Sequence, residues 1–128
     1  VTEIESIADS CNNLARAIKR RNEGKGEFTE SLNHNMDQMF AIVDQALQQM
    51  NVILHKPEAV HDDINVSYNV ENEINNYRNQ LKIKNMEDVN NKAYDYQVGV
   101  YYMDMVAECE KLGDYVLNVV QAVIEKKI

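Results

Sequence analysis

The sequence has very few of the residues that interrupt a helix. It contains one proline, Pro57, and four glycines, two of which (Gly24 and Gly26) lie together in one polar stretch. Strand signals are also missing, because no segment alternates apolar and polar residues between clusters of turn residues. With so few breakers, the chain accommodates a small number of long elements. These absences predict an all-helical protein.

Basic residues, cysteines and long apolar runs are scarce as well. Lys and Arg number 13 against 21 Asp and Glu, a net charge of −8, and this excludes a nucleic-acid partner because phosphate binding needs a basic surface. The two cysteines, Cys11 and Cys109, do not form a disulfide scaffold and favour a reducing compartment. Both lie on apolar stripes, which predicts inert thiols in the core. No run approaches the roughly 18 apolar residues of a membrane span, so we expect a soluble segment.

Apolar residues recur at helical spacing in four segments. The first covers residues 1–23, and the second begins near the N-cap candidate Thr29 and ends before Pro57. The third fades over residues 82–85. The last runs from about Asp88 to the end, a helix of about 35–40 residues, or roughly 55–60 Å. Four helices with short links predict an antiparallel up-and-down four-helix bundle of one domain.

Two of these helices share a sequence pattern. Residues 3–14 and 108–119 align without a gap, and the pattern Glu-x-x-x-Asp-x-x-x-Asn occurs in both. Its members are Glu5, Asp9 and Asn13 in the first helix and Glu110, Asp114 and Asn118 in the last. A small residue precedes each Asp: Ala8 in the first copy and Gly113 in the second. The chain therefore contains an internal repeat.

The paired carboxylates of the repeat have two interpretations. Side chains at positions i and i+4 lie on one helix face, where two carboxylates repel each other by a few tenths of a kcal/mol. A hard cation such as magnesium, calcium, manganese or iron would neutralise them. The alternative is a solvated acidic face, with Ala8 and Gly113 permitting tight packing. The spacing alone leaves both open.

Residues 5–9 and 110–114 resemble the paired Glu-Arg-Ile-Gly-Asp-type motifs of PhoU proteins. Those proteins are all-helical regulators of phosphate uptake, built from two three-helix repeats. The resemblance implies that residues 1–23 are the third helix of repeat one and that residues 28–127 are repeat two, within a six-helix domain. It is greatest to the PhoU-like region that follows the membrane part of bacterial sodium/phosphate cotransporters.

This resemblance implies a function, a location and partners. The chain is expected to be a non-enzymatic regulatory domain for phosphate transport and homeostasis. It would lie on the cytoplasmic side of the bacterial inner membrane, as the C-terminal part of a transporter whose membrane domain is its partner. A piece without the first two helices of repeat one would begin inside the domain, as Val1 suggests. Separately from the resemblance, an exposed apolar patch at the tyrosines early in the last helix would favour homodimerisation.

The resemblance also implies a metal site. PhoU-like domains can carry metal on these motifs, so a divalent ion or a multinuclear cluster of iron, zinc, manganese or magnesium is expected. The motif positions that would hold it are Glu5, Asp9, Glu110 and Asp114. Acidic positions on the second helix of a repeat face the motif helix, and the candidates here are Asp63 and Glu71.

A second function class rests on Glu58-x-x-His61, which matches half of a ferritin-like di-iron signature. Such proteins need the motif twice in the bundle interior, and this one stands just after Pro57. The alternative is therefore a helical-bundle, carboxylate-bridged metalloprotein with redox activity. No phosphate-binding glycine loop, nucleophile elbow or catalytic triad is present, so no enzymatic activity is expected from the preferred interpretation.

Overall fold

A computed structural model describes residues 2–23, 28–58 and 61–127, and this part of the chain contains four α helices and no strand. The helices are α1 (Thr2–Asn22), α2 (Glu30–His55), α3 (His61–Asn90) and α4 (Tyr96–Lys127). The prediction of an all-α four-helix bundle is confirmed. Gly24 and Gly26, the two glycines of the polar stretch, lie outside the described residues. Among the described helices, none combines the length and apolarity that crossing a membrane requires.

Local chemistry sets both ends of α2. The side-chain oxygen of Thr29 accepts a hydrogen bond from the backbone N–H of Leu32 at 3.2 Å, which is the N-cap arrangement predicted from the sequence. At the other end Lys56 is extended, with ψ of 136°, and Pro57 follows it. A residue before proline avoids the helical region. These two boundaries are therefore confirmed.

The boundary between α3 and α4 differs from the prediction. The third helix does not fade over residues 82–85 but continues to Asn90, and α4 begins at Tyr96 rather than near Asp88. As a result α4 has 32 residues instead of 35–40, and α3, with 30, is almost as long. The last helix is therefore about as long as α3.

A Schellman cap ends α3. The N–H of Lys92 donates to the carbonyl of Val89 at 3.1 Å, and the N–H of Ala93 donates to the carbonyl of Asp88 at 2.9 Å. Lys92 has a φ of 59°, the left-handed conformation that glycine adopts most readily. Because a lysine occupies that position, the sequence gives no glycine signal for the end of the helix.

The bundle is organised around α4, which packs against each of the other three helices, while α2 also packs against α3. The side chains that fill the core include Leu14, Met36, Met39, Ile74, Tyr102, Cys109 and Leu112. The ring of Phe28, between α1 and α2, meets the ring of Tyr102 edge-on with centroids 5.7 Å apart. Within the described residues the backbone of α1 approaches only α4.

Candidate functional site

The second copy of the repeated motif lies where α4 meets α3. Asp114 is exposed and Glu110 is half-buried, and the half-buried Glu71 of α3 lies within hydrogen-bonding reach of Asp114. The structure therefore brings together three of the six predicted site residues. The acidic position on α3 faces the motif helix, as the resemblance implied for Glu71.

The environment of Glu71 favours its protonated form. Burial is the largest cause that raises the pKa of Glu71 above its ordinary value of 4.5, and both the hydrogen bond and the charge of Asp114 raise it further. The negative charge of Glu110 acts in the same direction. The side-chain amide of Asn75 donates to Oε1 of Glu71 at 2.5 Å and opposes the shift. Glu71 therefore keeps its proton to a higher pH than an ordinary glutamate does.

Glu110 already has a cationic partner. Nε of Arg78, on α3, lies 2.9 Å from Oε2 of Glu110, and both side chains are about two-thirds or more buried. An ion pair in such surroundings is screened less than one at the surface. Arg78 thus neutralises one carboxylate of the motif, and the pair Glu71 and Asp114 is left to share the remaining negative charge.

Gly113 has a packing role next to this site. A Cβ atom placed on Gly113 would lie 2.9 Å from Cδ1 of Ile74, so the glycine lets α3 come close to α4. Such a distance is below normal carbon–carbon contact. Ile74 lies on the same face of α3 as Glu71 and Arg78, so this contact is beside the motif. For this residue the tight-packing interpretation is correct, and it supports the site rather than competing with it.

The first copy of the motif has a different environment. Glu5, Ala8 and Asp9 are all exposed on α1. Because the backbone of α1 approaches only α4 among the described helices, no helix packs over these residues as α3 packs over residues 110–114. The carboxylates of this copy remain a predicted site, without the neighbouring acid and arginine that the second copy has.

Reciprocal hydrogen bonds connect the two copies of the repeat. The side-chain amide of Asn13 donates to Oε1 of Glu108 at 3.2 Å, and that of Asn118 donates to Oε2 of Glu3 at 3.4 Å. In the alignment of the repeats Asn13 corresponds to Asn118, and Glu3 corresponds to Glu108. The antiparallel helices α1 and α4 are thus related by an approximate two-fold axis. The repeat in the sequence already indicated these hydrogen-bond partners, because the two Asn residues align with each other and so do the two Glu residues.

Asp63 lies apart from the other candidates. Its side chain is 8% exposed and lies 2.6 Å from Nζ of Lys56, which connects the start of α3 to the end of α2. It is two helical turns before Glu71 on α3. The structure therefore places Asp63 in the α2–α3 connection, a role that its predicted position on α3 did not reveal.

The two cysteines differ from each other. Cys109 is fully buried, and burial raises the pKa of its thiol to about 12, which confirms the prediction of an inert core residue. Cys11 is exposed, so the same prediction was wrong for it. Cys11 lies outside the face of α1 that packs against α4, where Leu14 is buried.

The site suits some metals better than others. In residues 2–23, 28–58 and 61–127 no three His, Cys, Asp or Glu side chains are grouped to hold a metal ion. Glu71 and Asp114 supply two carboxylates, which fits a magnesium or manganese ion that keeps several waters. A multinuclear iron or zinc cluster takes more protein ligands than this pair provides.

Comparison of the chain with protein-family models, characterised proteins and solved structures gave no match.

Proposed function

We propose that this chain is a non-enzymatic, PhoU-like regulatory module for phosphate transport, and that it binds a hydrated divalent cation between α3 and α4. The observation that carries the proposal is the position of Glu71 beside Asp114 of the repeated motif, with Glu110 next to them. The resemblance of residues 110–114 to PhoU motifs supports the assignment of the class.

The chemistry of this cluster suits a cation. At neutral pH two carboxylates in contact are stabilised by a proton or by a metal ion, and carboxylate oxygens are the ligands that magnesium and manganese prefer. Because Arg78 already neutralises Glu110, a single divalent ion balances the charge of Glu71 and Asp114. When bound, the ion would supply a link between the two helices.

A link of this kind gives a regulatory domain a means of response. Glu71 belongs to α3 and Asp114 to α4, so a bound cation would join two helices whose carboxylates otherwise repel each other. In the proposal the membrane domain of the same sodium/phosphate cotransporter responds to this change, and the module contacts it on the cytoplasmic side of the membrane. The module itself performs no catalysis.

Titration calorimetry with manganese tests the cation site. We expect Asp114→Ala to weaken manganese binding at least about tenfold, because half of the carboxylate pair is lost. Asp104→Ala is the matched control, since Asp104 is also an exposed aspartate of α4. The absence of heat with manganese, magnesium, iron and zinc would contradict the proposal, as would equal affinity of the two variants.

Loading with iron separates the two function classes. The regulatory proposal expects no oxygen consumption by the iron-loaded chain. Sustained oxygen consumption would instead support the carboxylate-bridged redox metalloprotein.

A further inference from the structure

A pocket opens between α3 and α4 at the end of the bundle where these two helices are joined. Its volume is about 370 Å³, which lies within the usual range of small-molecule sites. Its apolar lining comes from Met86, Val89, Val100 and Met103, and none of the described residues that line it is charged. We refer to it as the Asn85 pocket, after a polar residue in its lining. Because a charge buried there would lack a partner, the pocket suits an uncharged molecule.

Gly99 is buried and contributes to the lining of the Asn85 pocket. A Cβ atom at this position would lie 2.9 Å from Oδ1 of Asn85 and 3.0 Å from Cγ2 of Val89. Both distances are shorter than normal contacts between such atoms. A larger residue would therefore push Asn85 and Val89 away, and the glycine preserves the shape of this part of the pocket.

The side chain of Asn85 supplies a hydrogen-bond donor to the pocket. The hydroxyl of Tyr94 donates to Oδ1 of Asn85 at 2.6 Å. Burial, and then the charge of Asp88, raise the pKa of Tyr94, so this hydroxyl keeps its proton and remains the donor. The oxygen of the amide is thus occupied, while Nδ2 has no hydrogen-bond partner among the described residues. A ligand with an acceptor atom would satisfy Nδ2.

Two large apolar side chains at the edge of the pocket are open to water. Met86 is 59% exposed and Tyr96 is 73% exposed. Covering side chains of this size with an apolar ligand is favourable, because their surface is removed from water. The flexible thioether chains of Met86 and Met103 can adapt to the shape of what they cover. One ligand can therefore gain both apolar burial and a hydrogen bond.

We propose that the Asn85 pocket binds a small, uncharged organic molecule that has an apolar body and a carbonyl oxygen. The apolar body packs against the methionines and Val100, and the carbonyl accepts a hydrogen bond from Nδ2 of Asn85. A phospholipid is a poorer occupant, since no Lys or Arg is among the described lining residues to bind its headgroup. The pocket is separate from the cation site, because Asn85 lies about 21 Å farther along α3 than Glu71.

Fluorescence of prodan, an uncharged naphthalene with one ketone, tests this proposal. The 128-residue chain is titrated up to several hundred micromolar into trace prodan, with chelator present. We expect saturable binding with a dissociation constant of about 100 μM. Asn85→Asp keeps an acceptor for Tyr94 but removes the donor, so it should weaken binding about tenfold. Asn65→Asp is the matched control, because Asn65 is an exposed asparagine of the same helix.

Two further measurements separate the pocket from general adhesion of the dye. Acetophenone should displace prodan at lower concentrations than ethylbenzene, which has a similar shape without the oxygen, and Asn85→Asp should remove this difference. Val100→Gln makes the exposed edge of the pocket polar and should weaken prodan binding about threefold. Ala107→Gln, at an exposed position farther along α4, should leave it unchanged.

Three results would overturn the proposal. The first is the absence of saturable prodan binding by the wild type. The second is equal affinity of Asn85→Asp and Asn65→Asp, both with the helical circular dichroism of the wild type. The third is a prodan affinity that falls as the chain self-associates in sedimentation equilibrium, which would assign the pocket to an interface between copies. Since chelator is present throughout, none of these results depends on the cation site of the proposed function.

Discussion

The same sequence pattern stands in two environments in this molecule. On α4, Gly113 lets Ile74 approach, and Glu110 and Asp114 gain Arg78 and Glu71 as neighbours from α3. On α1 the equivalent residues are exposed on the outside of the bundle. The difference shows that the repeated residues specify a helix and its pairing across the two-fold axis. The second copy gains its acidic and arginine neighbours from α3, whereas no described helix packs over the first copy.

Replacing the small residue before each Asp with a bulky one should give the largest difference in stability between the two copies of the motif. We expect Gly113→Val to lower the free energy of unfolding by about 1–3 kcal/mol, because its side chain overlaps Ile74. Ala8→Val, on the exposed surface of α1, should cost only the difference in helix propensity, about 0.5 kcal/mol. Urea denaturation of the two variants measures both values. Losses of equal size would show that the two copies of the motif do not differ in packing.

The stability of the protein should depend on pH through Glu71, which lies beside Glu110 and Asp114 between α3 and α4. Its pKa is raised, so protonated Glu71 stabilises the folded state fully below the ordinary value of 4.5, and this contribution is lost as pH rises through the raised value. Above that range, ionised Glu71 repels Asp114. Glu71→Gln should therefore stabilise the protein at pH 7 by a few tenths to about 1 kcal/mol, and the gain should shrink as pH falls to 4.

Denaturation curves between pH 4 and pH 8 measure this difference. Glu73→Gln is the matched control, because Glu73 is an exposed glutamate of the same helix and its change should stay within about 0.5 kcal/mol. A gain for Glu71→Gln that did not vary with pH would show that repulsion from Asp114 is not its source.

The smallest expected effects concern the two-fold axis itself. Asn13→Asp and Asn118→Asp each replace an amide donor with a carboxylate beside Glu108 or Glu3. Each should lower stability by about 0.5 kcal/mol, since the contacts are exposed and like charges now meet. The two losses should match within error and diminish at high salt. Asn12→Asp, at an exposed position of α1, should have less effect, and clearly unequal losses for Asn13 and Asn118 would argue against the symmetry.

The parts of the fold that were predictable from the sequence depend on local chemistry. Thr29 caps α2 through its own hydroxyl, and Pro57 prevents the helix from continuing, so both boundaries follow from neighbouring residues. The end of α3 could not be predicted from neighbouring residues. Lys92 adopts the left-handed conformation that ends the helix, and no glycine or proline near it indicates this.

The candidate site was predictable only in part, for a related reason. The repeat identified Glu110 and Asp114, and the resemblance identified Glu71 on the facing helix. The partnership of Arg78 with Glu110, and that of Lys56 with Asp63, depends on how the helices are rotated against each other. Hydrophobic periodicity specifies which face of a helix is buried, but it does not specify which charged residues at the edges of two faces will meet.

The pairing of α1 with α4 has a consequence for the order of folding. The hydrogen bonds that join them connect residues 95 and 115 positions apart in the chain. Contacts of such high sequence separation form late, because closing a long loop costs entropy. During synthesis α1 leaves the ribosome before the other three described helices, yet its docking surface is complete only after almost the whole of α4 has followed. Until then α2 and α3 can pair with each other, while the face of α1 that contacts α4 stays uncovered.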